Sequence, residues 1–187
     1  MRSSVLHSVF VLAIITGVFS SSPALAQSIA EARTWTATPF LNVGFGTDPG
    51  GGSPGLGAAV GYDFTSNLGV EGEVGHLFDV SGDNHDIDWS VSTFSANVVY
   101  HFDVVRVTPY ATAGFGLERS SVDVKNPDPL ALYQPSSTEV VWNVGGGAKY
   151  RLSDLMLVRA DLRRFEATDL APDFWRVYGG LTFWIRR

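Results

Sequence analysis

From residue 34 onward, apolar side chains repeatedly alternate with small or polar ones at a period of two residues. This period is typical of β-strands, in which successive side chains point to opposite faces. The alternation recurs in eight segments of roughly 10 residues or slightly more, separated by turn-forming residues. The predicted strands are 35–46, 55–64, 68–78, 91–102, 107–118, 140–152, 155–165 and 176–186.

Within each predicted strand, one face is apolar and the other carries the small, polar and charged residues. In the first strand Leu41 and Val43 share a face, whereas in the third Glu71 and Glu73 occupy the face opposite Val70. Strands of this length exceed the roughly 5 or 6 residues usual in globular proteins, and they suffice to cross a bilayer when tilted. The sequence therefore predicts an all-β protein, an eight-stranded antiparallel transmembrane β-barrel with up-and-down meander topology.

A soluble β-sandwich or a soluble barrel is the structural alternative, since both also alternate. A soluble barrel places its charges outside, whereas here the charges share the face that a membrane barrel turns toward its lumen. The connections support the membrane interpretation, because short and long ones alternate as periplasmic turns and outer loops do. The short connections are 65–67, 103–106 and 153–154, and the long ones are 47–54, 79–90, 119–139 and 167–175.

The N-terminus predicts export. Residues 1–26 combine a positive start at Arg2, an apolar run and a small-residue site at Ala24 and Ala26, which together are typical of a cleaved signal peptide. We expect 27–33 to be a short periplasmic segment and 34–187 to be the barrel. The chain has no cysteine, which excludes disulfides and thiolate metal sites, and its net charge of −6 disfavours nucleic acid as a partner.

Three stretches carry a family resemblance. The run 107–116 resembles a recurring Pro-Tyr-x-x-x-Gly-x-Gly strand, 144–150 resembles the glycine-rich strand that follows it, and 178–185 resembles a terminal insertion signal. On these motifs the chain resembles the OmpA/OmpX-type small outer membrane β-barrel superfamily, the group of outer membrane protein β-barrel domains and opacity-like porins. One departure is that Ile185-Arg186-Arg187 follows Trp184, where many members end on an aromatic residue.

The resemblance implies a location and partners. It implies the outer membrane of a Gram-negative bacterium, insertion by the barrel-assembly machinery, and contact with outer membrane lipids and lipopolysaccharide. It also implies a monomer without cofactors, with loops that could contact an extracellular ligand.

Charged residues on the predicted inner face form the candidate site. An eight-stranded barrel has a lumen just wide enough for side chains to fill, so opposite charges should meet across it. The predicted lumen polar network consists of Glu71, Glu73, Asn97, Tyr110, Lys149, Arg151, Arg159, Asp161 and Arg163. Such a network is either a structural plug, which we favour, or an ion gate that opens when Glu71 or Glu73 changes partner.

The sequence favours a non-enzymatic protein with a structural, surface-contact or adhesion role and a largely plugged lumen. A small-solute or ion pore is the alternative. A lipid-modifying enzyme comes third, because His76, Ser120 and Ser121 offer a base and nucleophiles near the outer rim, whereas His101 falls at the periplasmic end. The acidic segment 79–88 does not have the spacing of an EF-hand calcium loop, and we expect no metal site.

Overall fold

A computed structural model describes residues 32–46, 52–78, 87–102, 107–124, 136–168 and 173–186. These residues form eight β-strands. The strands are β1 (Thr34–Phe45), β2 (Ser53–Asp63), β3 (Leu68–Leu77), β4 (Ile87–His101), β5 (Val107–Val124), β6 (Ser136–Arg151), β7 (Met156–Ala167) and β8 (Phe174–Arg186). The predicted signal peptide and the greater part of the acidic segment 79–88 lie outside the described residues, so those predictions stay predictions.

Each strand pairs antiparallel with its neighbour in sequence, and β1 also pairs with β8, so the sheet closes into a barrel. Leu41 of β1, for example, lies opposite Leu56 of β2 on one side and Gly179 of β8 on the other. Closure leaves no unpaired strand edge, which a lipid environment requires because it offers no water to exposed backbone groups. The predicted fold, an eight-stranded antiparallel meander barrel, is confirmed. In the part of the chain that the structure describes, no helix has the length and apolar character needed to cross a membrane.

The barrel is apolar outside and polar inside. Leu41 is 73% exposed and Phe115 is 70% exposed, whereas Glu71 and Arg159 inside are 5% and 1% exposed. Strict alternation of exposed and buried residues along β1 and β3 produces this arrangement. The predicted assignment of the two faces is therefore confirmed, and the outer face suits the hydrocarbon of a bilayer.

β4, β5 and β6 extend well beyond their predicted long-loop ends, and β2, β7 and β8 extend by two residues each. The ladder between β4 and β5 continues to the pair Ile87 and Val124, and that between β5 and β6 continues to Ser121 and Ser136. Residues 87–90, 119–124 and 136–139 thus form a three-stranded outer β-extension, and the predicted loops 79–90 and 119–139 were drawn too long. Backbone pairing does not need an apolar face, and residues 136–139 are all polar, so the apolar alternation did not extend the predicted sixth strand to them.

The short connections 65–67 and 153–154 adopt tight turns. In the first, the backbone N–H groups of Phe64 and Thr65 both donate to the carbonyl of Leu68, and the Thr65 hydroxyl accepts from the N–H of Asn67 at 3.2 Å. In the third, the N–H of Leu152 donates to the carbonyl of Met156 at 3.0 Å. Both turns lie at the end opposite the outer β-extension, which fits the predicted periplasmic side.

We predict that a charge on the lipid face destabilises the barrel according to its depth. Leu41→Arg, in the middle of β1, should reduce the free energy of folding into bilayers by about 2–4 kcal/mol. Leu155→Arg is the matched control, since Leu155 is 68% exposed but lies in a short turn; it should cost about 0–1 kcal/mol near the interface. Urea titration of folding in lipid vesicles measures both, and equal effects would contradict the assigned orientation.

Candidate functional site

Three carboxylates and three arginines meet in the middle of the lumen. They come from three strands, because β3 supplies Glu71 and Glu73, β7 supplies Arg159, Asp161 and Arg163, and β8 supplies Arg176. All are at most 5% exposed. We call these six side chains the ion-pair network.

Glu71 and the two β7 arginines span the width of the barrel. Both guanidinium Nη groups of Arg159 donate to the two carboxylate oxygens of Glu71, the Nη2 to Oε1 at 3.1 Å. Arg163 Nη2 donates to the same Glu71 Oε1 at 3.0 Å. Glu71 thus accepts two hydrogen bonds from Arg159 and one from Arg163. Bidentate hydrogen bonds between arginine and a carboxylate are among the strong ones in proteins. The predicted meeting of β3 and β7 charges across the lumen is present in the structure.

Asp161 and Tyr110 join the two arginines from the other side. Arg163 Nε and Nη2 donate to the Asp161 carboxylate at 2.9 and 3.1 Å, and the Tyr110 hydroxyl donates to Asp161 Oδ2. The Tyr110 oxygen in turn accepts from Arg159 Nε at 2.7 Å. Tyr110 thus both donates and accepts within the ion-pair network, which fixes the orientation of its ring.

Arg176 and Tyr178, on β8, were missed by the prediction. Arg176 Nη2 donates to Glu73 Oε1, and its Nη1 donates to Thr93 Oγ1 at 3.3 Å. Tyr178 accepts from Arg163 Nη2 at 3.3 Å. Both residues lie on the same face of β8 as Thr182, so strand alternation alone could have identified them as inward-facing.

The ion-pair network balances its own charge. Three guanidinium groups face three carboxylates, and Glu73 lies between Arg176 and Arg163, whose Nη1 is 3.3 Å from Glu73 Oε2. Removing ions from water is expensive unless each charge has an opposite partner and its hydrogen bonds are satisfied. Aromatic rings stabilise the cations further through cation–π contacts, since the guanidinium of Arg176 lies 4.6 Å from the ring centre of Phe165.

A second polar cluster occupies the short-turn end of the lumen. Lys149 Nζ lies 2.8 Å from His101 Nε2, and His101 Nδ1 lies 3.8 Å from Asp63 Oδ1. Lys149 therefore lies in the lumen as predicted, but its nearest described contact is a histidine rather than the ion-pair network. Arg151 is placed differently, half-buried with its guanidinium 5.1 Å from the ring centre of Trp184.

Amide and hydroxyl groups fill the remaining polar positions. Asn143 Nδ2 donates to Asn97 Oδ1 at 2.9 Å, and Asn97 Nδ2 donates to Ser95 Oγ at 3.2 Å. Asn97, predicted as a member of the network, therefore bridges β4 to β6 beside the ion pairs. Its partner Asn143 was noted as inward-facing from the sequence but not as a site residue.

Above the ion-pair network, on the long-loop side, an apolar cluster lies in the lumen. Phe165 and Phe174 stack with their ring centres 4.9 Å apart and their planes 3° from parallel. They pack in one cluster with three aliphatic residues, all at most 4% exposed. This apolar cap consists of Leu77, Val91, Val141, Phe165 and Phe174. The sequence pattern predicted a polar lumen throughout, and it missed the cap because the cap lies at the strand ends.

Glycines on the inner wall make room for the large lumen side chains. A methyl group added at Gly57 would overlap the ring of Phe40, and one added at Gly147 would overlap the ring of Tyr110. Phe40 itself stacks on Tyr178 with 4.3 Å between ring centres. The abundance of inward glycine is therefore a packing requirement of a narrow lumen that also holds aromatic and arginine side chains.

The predicted enzyme residues do not assemble. His76 faces outward and its Nδ1 lies 2.9 Å from Ser92 Oγ, whereas Ser120 is buried inside the lumen on β5. Among the described residues, no group of three or more histidine or acidic side chains is placed to hold a metal ion. Among the described residues, the lumen instead holds ion pairs packed against aromatic rings.

This combination of a closed inside-out barrel and a charge-filled lumen defines a transmembrane β-barrel. Residues 11–183 match the family model described as the outer membrane protein beta-barrel domain. The chain belongs to that family, which places it in the outer membrane of Gram-negative bacteria. No curated protein matches the sequence.

Solved outer membrane barrels share the fold at low sequence identity. The N-terminal β-barrel domain of OprF from Pseudomonas aeruginosa is 21% identical with a TM-score of 0.60, covering 81% of this chain and 97% of that one. Neisserial surface protein A is 16% identical with a TM-score of 0.62, covering 80% and 96%. Ail, the attachment invasion locus protein of Yersinia pestis, is 13% identical with a TM-score of 0.52, covering 81% and 95%.

We predict that Glu71→Gln strongly destabilises the barrel. It removes the carboxylate that two buried arginines share, and breaking a buried ion pair costs about 3–5 kcal/mol. Glu166→Gln is the control, because the Arg164–Glu166 pair is 24% and 36% exposed in its side chains; exposed pairs contribute about 0–1 kcal/mol. Urea unfolding in detergent micelles measures both, and losses of equal size would show that the network is not a major contributor to stability.

Proposed function

We propose that this protein is a non-enzymatic outer membrane barrel with a closed lumen, which acts as a structural and surface-contact protein rather than as a pore. The observation that carries the proposal is the complete burial of Arg159, Arg163 and Arg176, each at most 1% exposed, across the middle of the barrel. Side chains that exclude solvent this fully support a lumen closed to water and ions.

Two successive barriers support the closed state. The ion-pair network fills the middle, and the apolar cap lies between it and the long-loop end. A change of partner by Glu71 or Glu73 alone would not open a path, because an ion would still have to cross the apolar cap without its hydration. The pore alternative therefore requires both barriers to move together.

The outer β-extension supports the surface-contact part of the proposal. It continues three adjacent strands beyond the predicted apolar band, and its exposed described side chains are mainly small and polar, as at Ser136, Ser137 and Thr138. A rigid scaffold that holds polar strands and loops at a membrane surface suits recognition. Two proteins of the same fold are described by their names as a surface protein and an attachment protein. We extend that role to this chain, acting as a monomer among outer membrane lipids and lipopolysaccharide.

We predict that the wild-type protein carries no current in planar lipid bilayers. Glu73→Ala should also be silent, because the apolar cap remains in place. The combined variant Glu73→Ala/Phe165→Ala/Phe174→Ala should conduct, since it removes side chains from both barriers.

Single-channel recording at one protein concentration compares the three proteins. Discrete openings in the wild type would overturn the closed-lumen proposal. Openings in Glu73→Ala alone would instead favour the ion-gate alternative, in which the network is the gate.

We predict that the outer β-extension is needed for surface contact but not for envelope integrity. In a strain lacking the protein, wild type and Thr138→Arg should restore detergent resistance equally. Thr138→Arg should restore adherence to epithelial cells by less than half, because Thr138 is exposed on the extension. Asp154→Arg, in a short turn at the opposite end, is the control and should restore both. Full adherence with Thr138→Arg would contradict a contact role for this part of the extension.

A further inference from the structure

One arginine on the outer face of the barrel lies directly beyond the apolar band. Along this face of β5, Phe115 and Leu117 are 70% and 48% exposed, and Arg119 follows them. The neighbouring strands place Phe94 and Val140 beside Leu117, so the apolar row is continuous across β4, β5 and β6. Arg119 therefore lies at the long-loop boundary of the lipid-facing surface, where the headgroups of a bilayer begin.

Hydroxyl groups surround Arg119 on this outer face. Ser92 of β4 and Thr138 of β6 are its cross-strand partners, and both are exposed. Ser92 Oγ lies 2.9 Å from His76 Nδ1, which holds that hydroxyl on the outer face. The next row toward the loops consists of the paired residues Ser90, Ser121 and Ser136. Side chains that are direct or diagonal neighbours on one face of a sheet lie within about 8 Å of each other, which a single arginine side chain can reach.

Arg119 also lacks a carboxylate partner among the described residues. Arg164, on the outer face of β7, differs in this respect, because its Nη2 donates to Asp173 at 3.0 Å and its Nε to Glu166 at 3.5 Å. The acidic pair Asp88 and Asp123 lies four residues further along β4 and β5, which is about 13 Å of extended strand. Arg119 thus presents a positive charge among hydroxyls at the level of the lipid headgroups.

We propose that Arg119 and the hydroxyl groups around it bind a phosphate group of an outer-leaflet lipid. A planar guanidinium binds two phosphate oxygens at once, and serine and threonine hydroxyls donate to the oxygens that remain. The apolar row of Phe94, Leu117 and Val140 directly below accommodates acyl chains, so the surface suits a lipid better than a free phosphate. The inference rests on the proposed contact with lipopolysaccharide and deepens it by naming the phosphorylated anchor of that molecule, lipid A, as the ligand.

Lipid A binding to the folded protein in detergent tests the proposal. Native mass spectrometry counts the lipid A molecules that stay bound after the protein leaves its micelle. Diphosphorylated lipid A should bind about fivefold more tightly than the same lipid without its phosphates, since one basic residue at an anionic membrane surface contributes on this order. Inorganic phosphate should not displace it, and displacement would overturn the choice of a lipid as the ligand.

Three variants separate a phosphate site from a general effect of charge. Arg119→Gln should abolish the preference for the phosphorylated lipid. Arg119→Lys keeps the charge but loses the bidentate geometry, so it should retain less than half of that preference. Ser121→Ala/Thr138→Ala keeps the arginine but removes two hydroxyl donors, and it should also weaken binding of the phosphorylated lipid.

Arg164→Gln is the matched control, because it removes a positive charge of the outer face that carboxylates already pair. It should bind lipid A as the wild type does. Arg119 is exposed, so its replacement should leave the midpoint of thermal unfolding unchanged.

Three results would each overturn the proposal. They are equal binding of both lipids by the wild type, an equal loss in Arg164→Gln, and full wild-type preference in Arg119→Lys. Adherence is not part of this measurement. A failed surface-contact role would therefore leave lipid A binding intact, and absence of a phosphate preference would leave the closed lumen and the contact role untouched.

Discussion

Pairing of buried charge inside a narrow cylinder is the constraint on which the rest of this structure depends. Lipid around the barrel requires apolar side chains on the outer face. Because side chains alternate along a strand, every second residue points inward, and all eight strands place polar groups in the lumen. The lumen is too small to hydrate them. Arg159 and Arg163 can be buried only because Glu71, Glu73 and Asp161 lie within hydrogen-bonding or ion-pairing distance.

The size of the lumen decides which residues share it. Three arginines and the rings of Phe40, Tyr110 and Tyr178 need space that the neighbouring strands must provide, and inward glycines such as Gly57 and Gly147 provide it. The same rings lie against the guanidinium groups, as Tyr110 does at 4.7 Å from Arg159. The same aromatic rings therefore fill the lumen and stabilise the arginines. The ion-pair network and the inward glycines depend on each other for this reason.

The sequence predicted the barrel because lipid imposes a simple rule on the outer face. Alternation assigned both faces correctly in β1 and β3, and it placed Glu71 and Arg159 on the inner faces of strands that lie across the lumen from each other. The prediction was weaker at the long-loop ends of the strands. Residues 136–139 of the outer β-extension are all polar, so their backbone pairing with β5 leaves no apolar alternation in the sequence.

Partner choice within the lumen was harder to predict for a different reason. The alternating position of a residue in its strand predicts whether its side chain points inward. The stagger between strands decides which inward side chains lie at the same depth in the lumen. Arg176 meets Glu73 across 103 residues of sequence, and Lys149 meets His101 rather than a carboxylate of the ion-pair network. Such pairings depend on the register of all eight strands, which no single segment encodes.

The low identity to other barrels follows from the same division between outside and inside. Any apolar side chain satisfies lipid, so OprF and this chain share a fold at 21% identity. The outer face therefore carries little information about function, and a shared fold transfers none by itself. What distinguishes this protein lies inside the barrel, where large side chains must fit one another: in the ion-pair network and in the apolar cap above it.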